Sequence, residues 1–239
     1  MPDPILETRK LTRRFGGLTA VDGVDLALLP GEAHCVIGPN GAGKTTLINL
    51  LSGDLEPDTG EILFAGRDVA GWPTHRVARL GIARSYQKTN IFPALSVGEN
   101  VWLAANARGG AAAEADAARA LEEVGLEPRA RDIASALSHG EQRQLELALM
   151  LAASPRVLLL DEPMAGMSGE ETRRMVALLD RLKHRHPLLL IEHDMDAVFA
   201  LADTITVLVN GAVLESGTPD RIRRSERVRT AYLGDTEAA

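Results

Sequence analysis

Nine residues, Gly38-Pro39-Asn40-Gly41-Ala42-Gly43-Lys44-Thr45-Thr46, follow directly on the apolar run Ala33 to Ile37. The order predicts a strand, a glycine-rich loop and a helix beginning near Gly43, and it fits the pattern G-x-x-x-x-G-K-[ST]. Glycines let the backbone curl until successive N–H groups point at one anion, and the helix adds its positive N-terminal end. Lys44 is then placed to reach β- and γ-phosphates as a point charge. The Thr45 hydroxyl suits Mg²⁺, a hard cation that takes oxygen ligands. All nine residues are candidate nucleotide ligands. The bland alternative, a glycine turn that happens to precede a lysine, leaves the strand-loop-helix order unexplained.

The chain of 239 residues is long enough for one large α/β domain, or for one domain with an inserted lobe, without disulfides. Its one cysteine, Cys35, falls within the strand feeding the loop and is expected to be a buried small apolar residue; a lone cysteine also fits a reducing compartment. A net charge of −7 argues against broad nucleic-acid binding through a basic face. No run of about eighteen apolar residues is present, so the chain is not expected to span a bilayer by itself. Met1-Pro2-Asp3-Pro4 has neither a charged nor an apolar leader region, and a cytosolic protein is expected, any membrane role requiring a partner.

Residues 5 to 29 and Glu61-Ile62-Leu63-Phe64 read as antiparallel strands lying against a nucleotide core, with turns at Pro30-Gly31 and 57–60. From about Leu95 to Ala153 the chain is alanine-rich and helical in pattern, broken at Gly109-Gly110 and near Gly125 to Pro128. It reads as a helical lobe (95–153) inserted into a core made of residues 1–94 and 154–218, with a charged helical tail over 219–239. The continuous apolar runs 157–160 and 188–191 predict strands covered on both faces, as in a parallel sheet, with a crossover helix over 170–185 between them. Thr204 to Val209, Asn210-Gly211 and Ala212 to Leu214 predict a hairpin with a type I′ turn.

The first of those apolar runs ends in Asp161-Glu162-Pro163. Carboxylates at the end of a buried strand are costly unless something uses them. Asp161 is the candidate Mg²⁺ holder, through water, and Glu162 the general base that polarises an attacking water. The second run ends in Glu192-His193-Asp194. Parallel strands deliver their C-terminal ends to one edge, so His193 is a candidate to face the γ-phosphate. His184 and His186 are read as a solvated helix end.

Leu137-Ser138-His139-Gly140-Glu141-Gln142 precedes a helix with Leu145, Ala148, Leu149 and Ala152 on one face. Locally it is a capping box, Ser138 with Glu141, and that structural reading is adequate by itself. The order of glycine loop, Gln87, Leu-Ser-x-Gly-Glu, Leu-Leu-Leu-Asp-Glu-Pro and histidine resembles the ATP-binding cassette ATPases over essentially the whole chain. The resemblance implies a P-loop NTPase (RecA-like) core with a mostly parallel sheet, an antiparallel β subdomain and an inserted helical subdomain. It implies ATP and Mg²⁺ as ligands, and two cassettes packed head to tail, so that Ser138 and Gly140 of one close over nucleotide on the other. It also implies that Phe15 stacks on adenine, although a half-buried strand aromatic remains an alternative. Gln87 matches the family's glutamine that links Mg²⁺ and the attacking water to the helical lobe. Lys44, Gln87, Glu162 and His193 are the implied catalytic set; Thr45, Gln87 and Asp161 are the implied metal set.

Three departures stand out. His139 replaces a glycine and Glu141 a glutamine of the commoner signature, and Ser168 replaces the aspartate that usually ends the segment after Glu162. Ser168 is expected to cap the next helix with Glu171. Within the family, Arg14 to Val21, Leu137 to Glu141 and Ala231-Tyr232-Leu233-Gly234 are similar to the ATPases of branched-chain amino acid importers, and of the related urea and amide importers. That resemblance implies transmembrane permease subunits as partners, a second ATPase subunit (homodimer or paralogous heterodimer), an indirect extracytoplasmic solute-binding protein, no nucleic acid, and a peripheral place on the cytoplasmic face of the inner (plasma) membrane. Two rivals stay open on the residues: a soluble cassette ATPase without a transporter, and a P-loop kinase, which would leave Leu137 to Glu141 unexplained.

Overall fold

The computed structural model describes residues 2–86, 90–107 and 112–233. In chain order the elements are β1 (Leu6–Phe15), β2 (Leu18–Leu28), β3 (Ala33–Ile37), α1 (Lys44–Leu51), β4 (Thr59–Phe64), β5 (Arg67–Asp68), α2 (Thr74–Leu80), β6 (Ile82–Arg84), α3 (Val97–Asn106), α4 (Ala113–Val124), α5 (His139–Ala152), β7 (Val157–Asp161), α6 (Gly169–Lys183), β8 (Leu188–Ile191), α7 (Met195–Leu201), β9 (Thr204–Val209), β10 (Ala212–Gly217) and α8 (Pro219–Arg224).

Among the described residues the strands form two sheets. One is antiparallel, in the order β2-β1-β4-β5; the other has the order β10-β9-β3-β8-β7-β6. In the second sheet β3, β6, β7, β8 and β9 run parallel, and β10 closes the edge antiparallel to β9. The runs expected to be covered on both faces are so: every residue of β3, β7 and β8 is buried. Alternate side chains enter opposite layers. Cys35, Ile37, Leu158 and Leu160 pack with the layer of α3 to α7. Val36, Val157 and Leu159 pack with α1 and the antiparallel sheet. This is the period-two consequence of a pleated strand with apolar layers on both sides.

Register fixes the working edge. Val36 pairs with Ile191, and Ile191 pairs with Asp161. The residues that follow, Ile37, Glu162 and Glu192, therefore leave the sheet side by side, and Gly38 comes next after Ile37 at the carboxyl edge of the parallel strands. The expected hairpin is present. Asn210 (φ 50°) and Gly211 (φ 83°) are both left-handed, as a type I′ turn demands.

Between β6 and β7 the described residues carry three α-helices, α3, α4 and α5, joined by loops. Three helices carry reciprocal capping boxes, Ser96 with Glu99, Ser138 with Glu141 and Ser168 with Glu171. The expected break at Gly125 holds, with Gly125 at φ 77° ending α4. Gly109-Gly110 and residues 234–239 lie outside the described residues. No helix among the described residues is long and apolar enough to cross a membrane.

Candidate nucleotide site

The glycine loop is held from beneath. The Gly211 N–H donates to the Ala42 carbonyl at 3.1 Å, and the Asp22 N–H donates to the Gly211 carbonyl at 2.8 Å. The tip of the β9–β10 hairpin thus supports the loop, and β2 supports the tip. Two glycines are dictated by that closeness. A Cβ on Gly38 (φ 150°) would strike the Leu208 carbonyl oxygen, and one on Gly43 (φ 99°) the Ala20 carbonyl oxygen. Gly43 then opens α1, whose first residue is Lys44.

The Lys44 ammonium lies back on its own loop, donating to the carbonyls of Gly38 (2.7 Å) and Pro39 (3.0 Å). Burial lowers its pKa, and the charges of Glu162 and Asp161 oppose that shift. Gly38, Pro39, Asn40, Lys44, Glu162 and His193 line one open concavity of about 450 Å³.

Asp161 is 1% exposed. Its N–H donates to the Ser85 hydroxyl at 3.1 Å, and its Oδ2 stands 3.7 Å from Arg84 Nη2. Burial raises its carboxyl pKa, Arg84 pulls it down and Glu162 adds to the rise. Its Oδ1 is buried with no hydrogen-bond partner among the described residues. A carboxylate oxygen left open at the sheet edge that also delivers the glycine loop fits Mg²⁺, which takes one or two protein oxygens and completes its shell with phosphates and water.

Glu162 has a left-handed backbone (φ 51°), rare for a residue with a Cβ. Its N–H donates to the Ile191 carbonyl at 2.9 Å, which pins the strained residue to the end of β8. The side chain is 31% exposed, and its Oε1 lies 3.9 Å from His193 Nδ1. A carboxylate open to solvent yet held at its backbone is arranged to meet a water molecule.

Sequence reasoning assigned no role to Glu192. It is 1% exposed, and its carboxylate accepts N–H groups from Met164 (2.9 Å) and His193 (3.0 Å). One buried side chain therefore fixes both the segment after Glu162 and the histidine. Arg84 and Ser85, which brace Asp161, were missed as well. The available signal was a short strand, β6, ending in polar residues beside an acidic strand end. Asp194 caps α7, accepting the Ala197 N–H at 3.1 Å.

Ser138 and Gly140 line a different, smaller hollow of about 60 Å³, together with Met167 and Glu171. A Cβ at position 140 would sit 2.8 Å from Glu171 Oε1, the movable end of a side chain. The His139 ring lies over Gly166, with Cε1 3.4 Å from where a Cβ would stand. The Ser168 hydroxyl donates to Oε2 of the same Glu171 at 2.8 Å. Phe15 is 44% exposed at the end of β1, with the Arg13 guanidinium 5.0 Å over its ring. Gln87 lies outside the described residues. His186 is not simply solvated; its ring nitrogen meets the Pro155 carbonyl at 2.9 Å.

Residues 21–165 match the sequence profile of the ABC transporter family, and residues 212–238 match that of the branched-chain amino acid ATP-binding cassette transporter. The high-affinity branched-chain amino acid transport ATP-binding protein BraF of Pseudomonas aeruginosa is 41% identical, over 98% of this chain and 100% of its own length. LivG of Escherichia coli K12, of the same description, is 39% identical over 98% and 100%. The fold is similar to the ADP conformation of MJ1267, an ATP-binding cassette of an ABC transporter, with a TM-score of 0.87 and 26% identity over 97% of this chain and 99% of that one.

Proposed function

Because the chain belongs to the ABC transporter family of ATP-binding cassettes, we propose that it binds and hydrolyses ATP as the energy-coupling subunit of an importer of branched-chain amino acids. The convergence of the glycine loop, Lys44, Glu162 and His193 on one concavity carries the reading. The match of residues 212–238 and the full-length likeness to BraF and LivG support the solute class.

In this reading the N–H groups of residues 38–46 cradle the β- and γ-phosphates, and Lys44 exchanges its two loop carbonyls for phosphate oxygens. Phe15 stacks on the base. Thr45, Asp161 and Gln87 would hold Mg²⁺, which supplies charge neutralisation between the phosphates when bound. Glu162 accepts the proton of the attacking water. His193, held by Glu192, donates a hydrogen bond to the γ-phosphate.

Ser138 and Gly140 face a separate hollow, so one chain presents half of each pocket. A second cassette, a copy of this chain in the simplest case, completes it by laying residues 138–140 on the nucleotide. ATP binding then favours the closed pair, provided ATP binds that state much more tightly than the open one.

The surface around Gln87 to Phe92, together with the helical stretch 95–153 that it leads into, meets the permease at the cytoplasmic face of the membrane. The described residues there support this. Phe92 is 57% exposed, and its backbone is pinned on both sides by buried Asn100, at 2.7 Å and 3.0 Å. Ile133, Trp102 and Leu103 are exposed apolar residues of the stretch 95–153.

Mixing two inactive chains tests the pairing. Lys44→Ala spoils the phosphate loop and Ser138→Arg the covering turn. An equimolar mixture should regain ATP turnover, up to about a quarter of the parent, because about half of the pairs are mixed and each mixed pair forms one intact pocket from the two undamaged halves. Mixtures as inactive as either chain alone would contradict the pairing between copies.

A further inference from the structure

We propose that Arg13 and Asp58 are a positioning pair that fixes the Phe15 ring for stacking on the base of the nucleotide. The inference rests on the ATPase reading above and deepens it. Asp58 grips three consecutive residues of β1 just before the ring. Its N–H donates to the Thr12 carbonyl at 2.9 Å, its Oδ1 accepts from Arg13 Nη1 at 3.1 Å, and its Oδ2 accepts the Arg14 N–H at 2.6 Å. The pairing of β1 with β2 shifts register between Leu11 and Arg13, and again between Arg13 and Arg14. Such irregularities re-aim the side chains around them. The Asp58 carboxylate therefore holds the strand where the ladder fixes its direction least. Arg13, so held, places its guanidinium 5.0 Å over the centre of the Phe15 ring.

Stability alone does not account for the pair. Both side chains are partly exposed, and ion pairs open to water add little to stability. Arg13 Nε is moreover buried without a hydrogen-bond partner among the described residues, which is a cost. What the arrangement supplies is a ring held by one face. The cation covers that face, yet Phe15 stays 44% exposed, with exposed Leu18 opposite it in register. An aromatic ring kept in one orientation and open on its other side suits a flat partner such as a purine. The same hairpin is joined to the glycine loop. Thr19 pairs with Arg14, and the carbonyl oxygen of the next residue, Ala20, lies 2.1 Å from where a Cβ on Gly43 would stand. Ring and phosphate cradle thus belong to one β framework. The grip of Asp58 on residues 12–14 sets where the base end of a nucleotide lies relative to its phosphate end.

The test compares the binding of ATP and of inorganic tripolyphosphate, each with Mg²⁺, by titration calorimetry in Arg13→Ala, Asp58→Ala, Phe15→Ala and the Arg13→Ala, Phe15→Ala double variant. Phe15→Ala should weaken ATP binding about tenfold, the loss of one base stack. Arg13→Ala and Asp58→Ala should each weaken it about fivefold, because the ring loses its support. Tripolyphosphate has no base and should bind all four variants within about twofold of the parent, and kcat at saturating ATP should stay within about twofold in the two single variants of the pair. In the Phe15→Ala background, Arg13→Ala should cost less than about twofold more, because the group it positions is already gone. Unchanged ATP affinity in Arg13→Ala, equal fold losses with and without the ring, or a tripolyphosphate loss as large as the ATP loss would overturn the proposal. Should Asp58→Ala fail to fold, Asp58→Asn, which keeps an acceptor for the Arg14 N–H but no charge for Arg13, is read in its place. Undiminished ATP affinity in Phe15→Ala would overturn the stacking reading and the proposal with it. A parent protein that bound no ATP would instead overturn the ATPase reading, so the failures are distinguishable.

Discussion

Arg84 and Asp161 face each other from the ends of neighbouring parallel strands, guanidinium to carboxylate at 3.7 Å, both shielded from water. Arg84 also pairs with Asp54 at 2.6 Å, so its charge is shared between the site and the loop after α1. Arg84 opposes the rise that burial gives the Asp161 carboxyl pKa, while Oδ1 has no hydrogen-bond partner among the described residues. Removing the guanidinium should raise the carboxyl pKa further. The acid limb of the ATP turnover profile should then move toward neutral pH in Arg84→Gln, and more Mg²⁺ should be needed for half-maximal rate below pH 7. A pH profile superimposable on the parent's would show that Arg84 does not tune Asp161.

Lys44 and Gly43 separate affinity from architecture. Lys44→Ala removes a phosphate-binding charge from an intact loop and should weaken ATP binding at least about tenfold, or about 1.4 kcal/mol, with little change in Tm. Gly43→Ala places a Cβ against the Ala20 carbonyl at φ 99° and should cost about 2 kcal/mol or more of stability, besides abolishing binding. Titration calorimetry and urea unfolding of both variants check this. Equal losses of stability would refute the distinction.

His34 links stability to pH away from the site. It is 2% exposed, with one ring nitrogen 3.0 Å from the Ala27 carbonyl and the other 2.7 Å from the Thr206 hydroxyl. Burial lowers its pKa, opposed by Glu32. The unfolded chain takes up the proton near pH 6.5, before the folded chain does. Its contribution is thus complete above about pH 6.5 and shrinks as pH falls toward the lowered folded pKa. Thermal melts from pH 7.5 to 5 should show a steeper loss of Tm for the parent than for His34→Gln. Parallel curves would assign the acid sensitivity elsewhere.

The parts legible in the sequence were those whose cause is local. The glycine loop carries its strand, turn and helix start within about a dozen residues. The apolar runs at 157–160 and 188–191 announce strands covered on both faces. Asn210-Gly211 names its own turn, and Ser138, Ser168 and their glutamates name their own caps. What stayed hidden depends on which strand ends become neighbours. Arg84 is an unremarkable arginine until β6 lies beside β7. Glu192 looks like one of three polar residues until its carboxylate is seen holding Met164 and His193. His139 replaces a glycine without apparent reason until its ring is found over Gly166.

Turnover and nucleotide affinity of Glu162→Gln, measured side by side on the purified protein, bear most directly on the assignment of the acidic edge. Loss of a general base should lower ATP hydrolysis at least about a hundredfold while ATP affinity stays within about threefold. Hydrolysis at the parental rate would show that the carboxylate facing His193 is not the group that activates water.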